Sequence, residues 1–593
     1  TNPSTLGRRR IFAVLFGLGL LALALRALDL QVLRNDFLRQ QAEARQVRST
    51  WMPARRGVIT DRKGEVLASS DQMQSVWLDA KVLQEGYATA LKRCKPEAVT
   101  ALQAQYQQGL QTLQARLELK SGVINQHIQQ NRRFVYLKRR APQGLADQLA
   151  GLKLPGVGFE PEFQRYYPAA EVAAHIVGVT GRDDQDGREE RGREGLELAL
   201  DTQLRGESGQ MQLVHDGKRR PIRFATPPHY ARDGQDVQLS IDLQLQAMAY
   251  RGLQAAVAEH QAKGGSMVIL DARSGEVLAM VNQPSFNPNL RGDIPLEFRR
   301  NQALTDTFEP GSTMKAFTLA SALESGRYKP TTLINTAPGS LHVGRHRISD
   351  VHPNGTLTVA GVLQKSSNVG TVKIALSLDS GTMWTHFRHL GFGQRIGTQF
   401  PGETSGSFSH YKRWKPIDKA VISFGYSLSV NAVQLARAYT ALATDGRVLP
   451  VSFLHQAQAP MGERVFSPRT AQTLRDMLEL AAGDHGTGQK SQVPGYRVAG
   501  KTGTAHKVVG RGYANRYRSL FAGMIPASQP RLVAVVVIDE PSGGQHYGGA
   551  VAAPVFGRVM TEAMRYLNIP PDTLPPELAP SLRQAAQVRD KPA

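Results

Sequence analysis

Phe308-Glu309-Pro310-Gly311-Ser312-Thr313-Met314-Lys315 is the stretch on which the reading of this 593-residue chain turns. The Pro-Gly pair stops whatever precedes it, and an apolar run at helical spacing follows: Ala316, Phe317, Leu319, Ala320 and Leu323. Ser312 is therefore expected at or near a helix N-terminus, where free backbone N–H groups and the positive dipole end favour negative charge. Three residues make about one helical turn, so Lys315 shares the face of Ser312. A serine hydroxyl is a poor nucleophile until a neighbouring base takes its proton, and a desolvated lysine is such a base. The same residues also read as an ordinary N-capping serine followed by a solvated lysine, and Ser-Xaa-Xaa-Lys alone does not separate the two.

Two further stretches do. Lys365-Ser366-Ser367-Asn368-Val369-Gly370 supplies Ser-Xaa-Asn, and Gly500-Lys501-Thr502-Gly503-Thr504-Ala505 supplies Lys-Thr-Gly-Thr. Each alone is a common loop composition. All three in this order resemble the pattern of the penicillin-recognising serine acyltransferases.

Bulk properties are compatible with that. The length leaves room for two to four domains. A hydrophobic fraction of 41% and a charged fraction of 21% suit a globular protein. The net charge of +22 calls for anionic surroundings. No zinc spacing, aromatic RNA-binding strand or recognition helix points to nucleic acid, so an acidic wall polymer or a membrane surface is the expected partner. Cys94, the single cysteine, excludes an internal disulfide and a cysteine-based metal cluster; it reads as a bystander. None of the 15 histidines shows a ligand spacing such as His-Glu-Xaa-Xaa-His, so no metal and no cofactor is expected.

Residues 11–25 carry no charge, and apolar character continues to Leu33. With Arg26 snorkelling outward, residues 11–33 approach the roughly 20 apolar residues of a membrane span. Arg8, Arg9 and Arg10 precede it, which places residues 1–10 in the cytoplasm and the bulk outside, in the periplasm. No small-residue cleavage site follows, so an uncleaved anchor is expected rather than a signal peptide. The chain opens on Thr1 rather than methionine, and part of the cytoplasmic tail is expected to precede it.

Residues 34–235 form a charged, mixed region, read as a rigid spacer and docking module. Residues 56–68 read as strand, Asp/Gly turn, strand; residues 97–131 as one or two helices. A dense stretch runs from Arg165-Tyr166-Tyr167-Pro168 through Ala174-His175 and a Gly/Asp/Arg loop to Gly195-Leu196-Glu197, with His175 read as structural. From residue 236 the texture changes. Residues 237–241 form a strand, 243–259 an amphipathic helix, and 267–281 a hairpin of buried strands. Residues 519–524 and 532–538 are two more strands, and a final helix covers 551–567. The fold class is α+β and multidomain: one transmembrane helix, an elongated mixed α/β pedestal, and a domain at 236–569 with an antiparallel sheet sandwiched by helices. Residues 570–593, Pro-rich and polar, read as a disordered tail.

The anchor, residues 56–68, the 165–195 stretch and the three motifs together resemble class B penicillin-binding proteins, whose catalytic domain is serine β-lactamase-like. Ser75-Val76-Trp77, Ile538-Asp539-Glu540-Pro541 and the run from Tyr547-Gly548-Gly549 to Phe556 are similar to the division-specific type. The resemblance covers residues 8 to about 567 and implies a serine D,D-transpeptidase that crosslinks stem pentapeptides of the septal wall and is acylated by β-lactams. It implies Ser312 as nucleophile, Lys315 as its base, Ser366 as proton shuttle and Asn368 as orienter of the acyl chain. Lys501, Thr502 and Thr504 would hold the substrate carboxylate, and Gly503 would let substrate backbone pass close to its strand. The backbone N–H groups of Ser312 and Thr504 would form the oxyanion hole, each such donor being worth roughly 3 kcal/mol. It also implies a single-pass protein of the inner membrane at the septum, working with an FtsW-type glycosyltransferase and other division proteins. An elongation-specific transpeptidase, a D,D-carboxypeptidase or a β-lactamase would use the same motifs, and a division scaffold or β-lactam sensor is the non-enzymatic alternative.

Overall fold

The last sheet strand, Leu532–Asp539, shows how the sequence builds the larger part of the molecule. Val533, Val535 and Val537 join one hydrophobic core, whereas Leu532, Ala534, Val536 and Ile538 join another. An unbroken apolar run makes sense only for a strand covered on both faces, since successive side chains point to opposite sides. The computed structural model describes residues 3–35, 47–182, 190–215, 221–290, 292, 294–510 and 512–573. The Gly/Asp/Arg loop at 183–189 and the tail beyond Thr573 lie outside the described residues.

Five antiparallel strands make that sheet: β1 (Gly264–Asp271), β2 (Val277–Gln283), β3 (Ala499–Val509), β4 (Gly512–Ile525) and β5 (Leu532–Asp539). Their order is β2-β1-β5-β4-β3, which leaves β3, the Lys-Thr-Gly-Thr strand, on an edge. On one face lie helices α1 (Leu243–Glu259) and α6 (Ala553–Tyr566), through Leu253, Phe556 and Met560. The other face carries α2 (Lys315–Glu324), α4 (Ala432–Ala443) and α5 (Pro468–Ala482), through Phe317, Tyr439 and Leu474. Helix α3 (Asn368–Ser377) packs beside α2. This is the helix–sheet–helix sandwich the alternation demands.

The chain divides into two units, and the division does not run at one point. Unit 1 holds residues up to Gly57, Ser70–Gln164 and Arg205–Gln235; unit 2 holds Val58–Ser69, Arg165–Leu204 and the chain from Asp236. Two parts of the region read as a pedestal at 34–235 thus fold with the catalytic sheet. Ile59–Thr60 pairs in parallel with Val237–Gln238, and Arg165 and Glu197 form a 2.7 Å ion pair with side chains 1% and 0% exposed. Unit 1 has its own core of Leu83, Leu110, Leu113, Ile124 and Leu149. The region 97–131 contains two helices, Val99–Arg116 and Val123–Gln129.

The apolar N-terminal helix begins at Pro3 and continues to Leu28, closing with a π-helical turn at Asp29–Leu33. The expected cytoplasmic tail is therefore helical from Pro3. Arg9–Leu33 is long and apolar enough to cross a membrane, and its side chains stay exposed, as with Phe12 at 78%. At the other end, residues 570–573, read as the start of a disordered tail, are held in place. Asp572 accepts from Arg497 N at 2.7 Å and from Ser528 Oγ at 2.6 Å.

Removing one partner of the Arg165–Glu197 pair strands a buried charge. Glu197→Ala should cost about 3–5 kcal/mol, read from denaturant unfolding of the detergent-solubilised chain. The double substitution Arg165→Met with Glu197→Leu should recover most of that loss.

Candidate active site

Ser312 sits in a single 3-10 turn, Gly311–Met314, that runs directly into α2 at Lys315. Residues three apart eclipse in a 3-10 turn, so the tighter winding brings Lys315 onto the side of Ser312 more closely than an α-turn would. The turn is clamped from several sides. Thr313 Oγ1 donates to the carbonyl of Pro310 at 2.7 Å, and the buried Tyr439 hydroxyl donates to the carbonyl of Thr313 at 3.1 Å. Gly311 adopts φ +55° and donates its N–H to the carbonyl of Gly425 at 3.0 Å. A Cβ on Gly425 would stand 2.1 Å from the carbonyl oxygen of Gly311, so only glycine lets these backbones meet.

Lys315 is fully buried. Its Nζ donates to the Ser366 carbonyl at 2.5 Å, to Ser366 Oγ at 3.1 Å and to Asn368 Oδ1 at 2.7 Å. Burial drives its proton affinity well below the ordinary lysine range, and the nearby Lys501 charge adds to the fall while Asp350 opposes it. Ser366 holds φ +57°, a sparsely populated conformation for a residue with a side chain, which marks a position determined by its surroundings. Those surroundings are explicit. Ser367 caps α3 by accepting from Gly370 N, and its hydroxyl donates to Asp350 Oδ2 at 2.6 Å. Asp350 Oδ1 accepts from Val369 N at 2.9 Å, and Asn368 Nδ2 donates to the Ser349 carbonyl at 2.9 Å.

Strand β3 closes the site. Thr502 and Thr504 face one side, and Lys501 and Gly503 the other, as the period of two requires. Lys501, expected to hold the substrate carboxylate with Thr502 and Thr504, is consequently not among the residues that line the cavity. It is fully buried, and Nζ reaches Thr487 Oγ1 at 3.2 Å, the Thr502 carbonyl at 3.2 Å and Thr502 Oγ1 at 3.3 Å. Burial lowers its pKa to about 7. Gly503 also packs against the turn of the nucleophile. A Cβ there would lie 3.0 Å from the Pro310 carbonyl oxygen and 3.1 Å from Thr313 Cγ2, so this glycine admits the nucleophile's turn against the strand. Thr504 Oγ1 accepts from Gly548 N at 2.9 Å, and the Thr504 carbonyl oxygen would stand 3.4 Å from a Cβ on Gly311.

Ser312, Ser366, Asn368, Thr502 and Thr504 all line one cavity of about 880 Å³, with Lys315 and Lys501 buried behind its wall. A family model of the penicillin binding protein transpeptidase domain matches residues 265–561, and one of the penicillin-binding protein dimerisation domain matches residues 51–239. The chain belongs to the class B penicillin-binding proteins.

Its similarity to other members spans nearly its whole length. It is 39% identical over 563 residues to "Probable peptidoglycan D,D-transpeptidase PenA" of Neisseria meningitidis, covering 94% of this chain and 92% of that protein. It is 39% identical over 567 residues to peptidoglycan D,D-transpeptidase FtsI of Escherichia coli, covering 95% and 93%. The transpeptidase domain of penicillin-binding protein 3 from Burkholderia pseudomallei superposes with a TM-score of 0.53 at 45% identity, covering 57% of this chain and 98% of that one.

Three residues of this penicillin-binding protein site escaped the sequence reading, and a fourth, Gly548, entered it only as part of the division-type run. Asp350 and Thr487 lie in loops with no periodicity to mark them, although Thr487 stands between Gly486 and Gly488. Gly425 and Gly548 act by what they lack. A Cβ on Gly548 would lie 2.2 Å from the Gly503 carbonyl oxygen. Misplacing a nucleophile by an ångström costs about a hundredfold in rate. Gly425→Ala should therefore slow acylation by penicillin on that scale in protein that still unfolds cooperatively; an unchanged rate would mean the turn accommodates the methyl group.

Proposed function

We propose that the chain is the D,D-transpeptidase that crosslinks stem peptides of the septal wall, through an acyl-enzyme on Ser312. The observation that carries the reading is the buried Lys315 amine, one turn from Ser312 and hydrogen-bonded to both Ser366 and Asn368.

Ser312 Oγ attacks the penultimate D-alanyl carbonyl while Lys315, whose hold on its own proton is weakened by desolvation, acts in its deprotonated form and takes the hydroxyl proton. Ser366, at 3.1 Å from Lys315 Nζ, is placed to pass that proton to the departing D-alanine amine. Asn368 spends Oδ1 on Lys315 and Nδ2 on Ser349, which fixes the amide plane that faces the acyl chain. The substrate carboxylate meets hydroxyls rather than an exposed ammonium. Lys501 donates to both Thr487 and Thr502, whose oxygens are 2.7 Å apart, so this hydroxyl pair bonds once within itself and keeps one proton for the cavity. Gly548 N–H occupies an acceptor position of Thr504, so its hydroxyl proton is also free to donate. The N–H groups of Ser312 and Thr504 receive the oxyanion. β-Lactams enter the same path and remain as the acyl-enzyme.

The helix Arg9–Leu33, with Arg8, Arg9 and Arg10 at its N-terminal end, supports a single-pass inner-membrane protein with its bulk in the periplasm. The likeness to a relative named FtsI, together with Tyr547-Gly548-Gly549, supports division over elongation and an FtsW-type glycosyltransferase and other division proteins as partners.

Ser312→Ala should abolish covalent labelling by a fluorescent penicillin, and retained labelling would end the assignment. The pH profile of acylation should be bell-shaped. Its acid limb reflects Lys315, which must be deprotonated to act as base; because its pKa is depressed, activity should appear at lower pH than for free lysine. Its alkaline limb reflects Lys501, whose charge is lost as pH rises through about 7, weakening hold on the carboxylate. Lys501→Arg should flatten the alkaline limb alone.

A further inference from the structure

The catalytic cavity is larger than one departing D-alanine requires. Besides Thr502 and Thr487 its lining includes His485, Gln489 and Lys490 of the loop that carries Thr487, and Lys365, whose Nζ reaches that loop; these make the lobe beyond Thr487. Its wall there is built rather than loose: Lys490 belongs to a 3-10 turn, Gln489–Ser491, whose Ser491 is fully buried. Lys365 Nζ donates to the His485 carbonyl at 3.2 Å. Among the described residues, neither Lys365 nor Lys490 has a carboxylate partner. The single carboxylate lining the cavity, Asp350, is committed to Ser367 Oγ and Val369 N. On a chain of net charge +22 two unpaired lysines are unremarked singly; here both line one lobe of one cavity.

The chemistry says which side of Ser312 this lobe serves. D-Alanine leaves toward Thr502 and Thr487, where its carboxylate was held. The amine that resolves the acyl-enzyme must take the place the leaving amine vacated, because attack is the reverse of departure. We propose that the lobe beyond Thr487 is the subsite of the acceptor stem peptide, Lys365 and Lys490 pairing with its carboxylates while its amine faces the acyl-Ser312 carbonyl. The assignment rests on the transpeptidase reading above. The acceptor nitrogen forms the new C–N bond, the bond from that carbonyl carbon to Ser312 Oγ breaks, and the amine's surplus proton passes through Lys315 to restore the serine hydroxyl. Crosslinked peptide leaves, and no further reagent is needed.

Full-length protein supplied with glycan strands bearing pentapeptide stems tests this with three readouts: penicillin acylation, exchange of D-alanine for a free fluorescent D-amino acid, and crosslinked dimer. Free D-amino acid has the amine and carboxylate of the acceptor but no stem to reach the lysines. The double variant Lys365→Gln, Lys490→Glu should lose about tenfold in dimer yield, with acylation and exchange held within about twofold. Lys490→Glu alone should show the same split to a smaller degree. Unchanged dimer yield would overturn the proposal, and so would an equal loss in all three readouts, which would place the lysines in the acylation step. Failure of the transpeptidase reading would look different: the unsubstituted protein would release D-alanine without forming any crosslinked dimer.

Discussion

Two lysine side chains are buried in one site, and among the described residues neither is salt-bridged to a carboxylate. An isolated ammonium in a protein interior is costly, and a second one nearby raises the cost. The molecule meets this constraint by weakening both ammonium groups and by surrounding them with oxygen acceptors. Lys315 has three acceptors from Ser366 and Asn368; Lys501 has three from Thr487 and Thr502. Both amines are thereby held below the ordinary lysine range, Lys501 at about 7. Asp350 stands close enough to raise the proton affinity of Lys315, yet its oxygens are spent on Ser367 and Val369. It steadies the site without neutralising it.

Holding that arrangement falls to the backbone rather than to salt bridges. The nucleophile's turn, the edge strand β3 and the segment at Gly548 approach one another at Gly311, Gly425, Gly503 and Gly548, each of which faces foreign backbone within a few ångströms of where a Cβ would be. Such contacts are stiff, because main chain has no rotamer to yield. The sheet behind them is stiff as well: β5 is buried on both faces, and β4 ties it to β3 through a continuous antiparallel register from Ala499 to His506. A site that depends on hydrogen bonds of 2.5–3.3 Å to two buried amines needs that rigidity.

How much of this could be read from the residues follows from the range of the interactions. The helix over 243–259 and the strand at 532–538 were legible because their signals are local: Asp242 caps the helix, and the unbroken apolar run of β5 is visible in seven residues. Motif spacing and chemistry brought Ser312, Ser366 and Asn368 forward, and they do meet at one cavity. Lys501 is grouped by its motif with Thr502 and Thr504 for the substrate carboxylate, and the structure buries its side chain on the opposite face of the strand, where period two puts it. Gly503 was read toward the substrate, because nothing in a one-dimensional pattern says which backbone will press against a glycine. Asp350 and Thr487 act through loops, where neither periodicity nor spacing carries information.

The same logic explains the divided pedestal. Asp61 sits in the Asp/Gly turn of residues 56–68, far from α1 in the chain, yet its Oδ2 accepts from Leu243 N at 3.0 Å in the first turn of that helix. Asp242 accepts from Gln244 and Leu245 N at the same end, so two carboxylates crowd one helix N-terminus. The dipole there favours both, and Lys63, 3.1 Å from Asp242, relieves the like-charge repulsion while also donating to the Tyr566 hydroxyl from α6. Arg62 and His455 meet on Glu276 in the β1–β2 hairpin in the same manner. A turn that looked like part of a separate spacer is thus the completed cap of the first catalytic helix. Its density of charged and turn-forming residues is what a cap shared by distant segments requires, and a domain boundary drawn by composition alone passes through the middle of it.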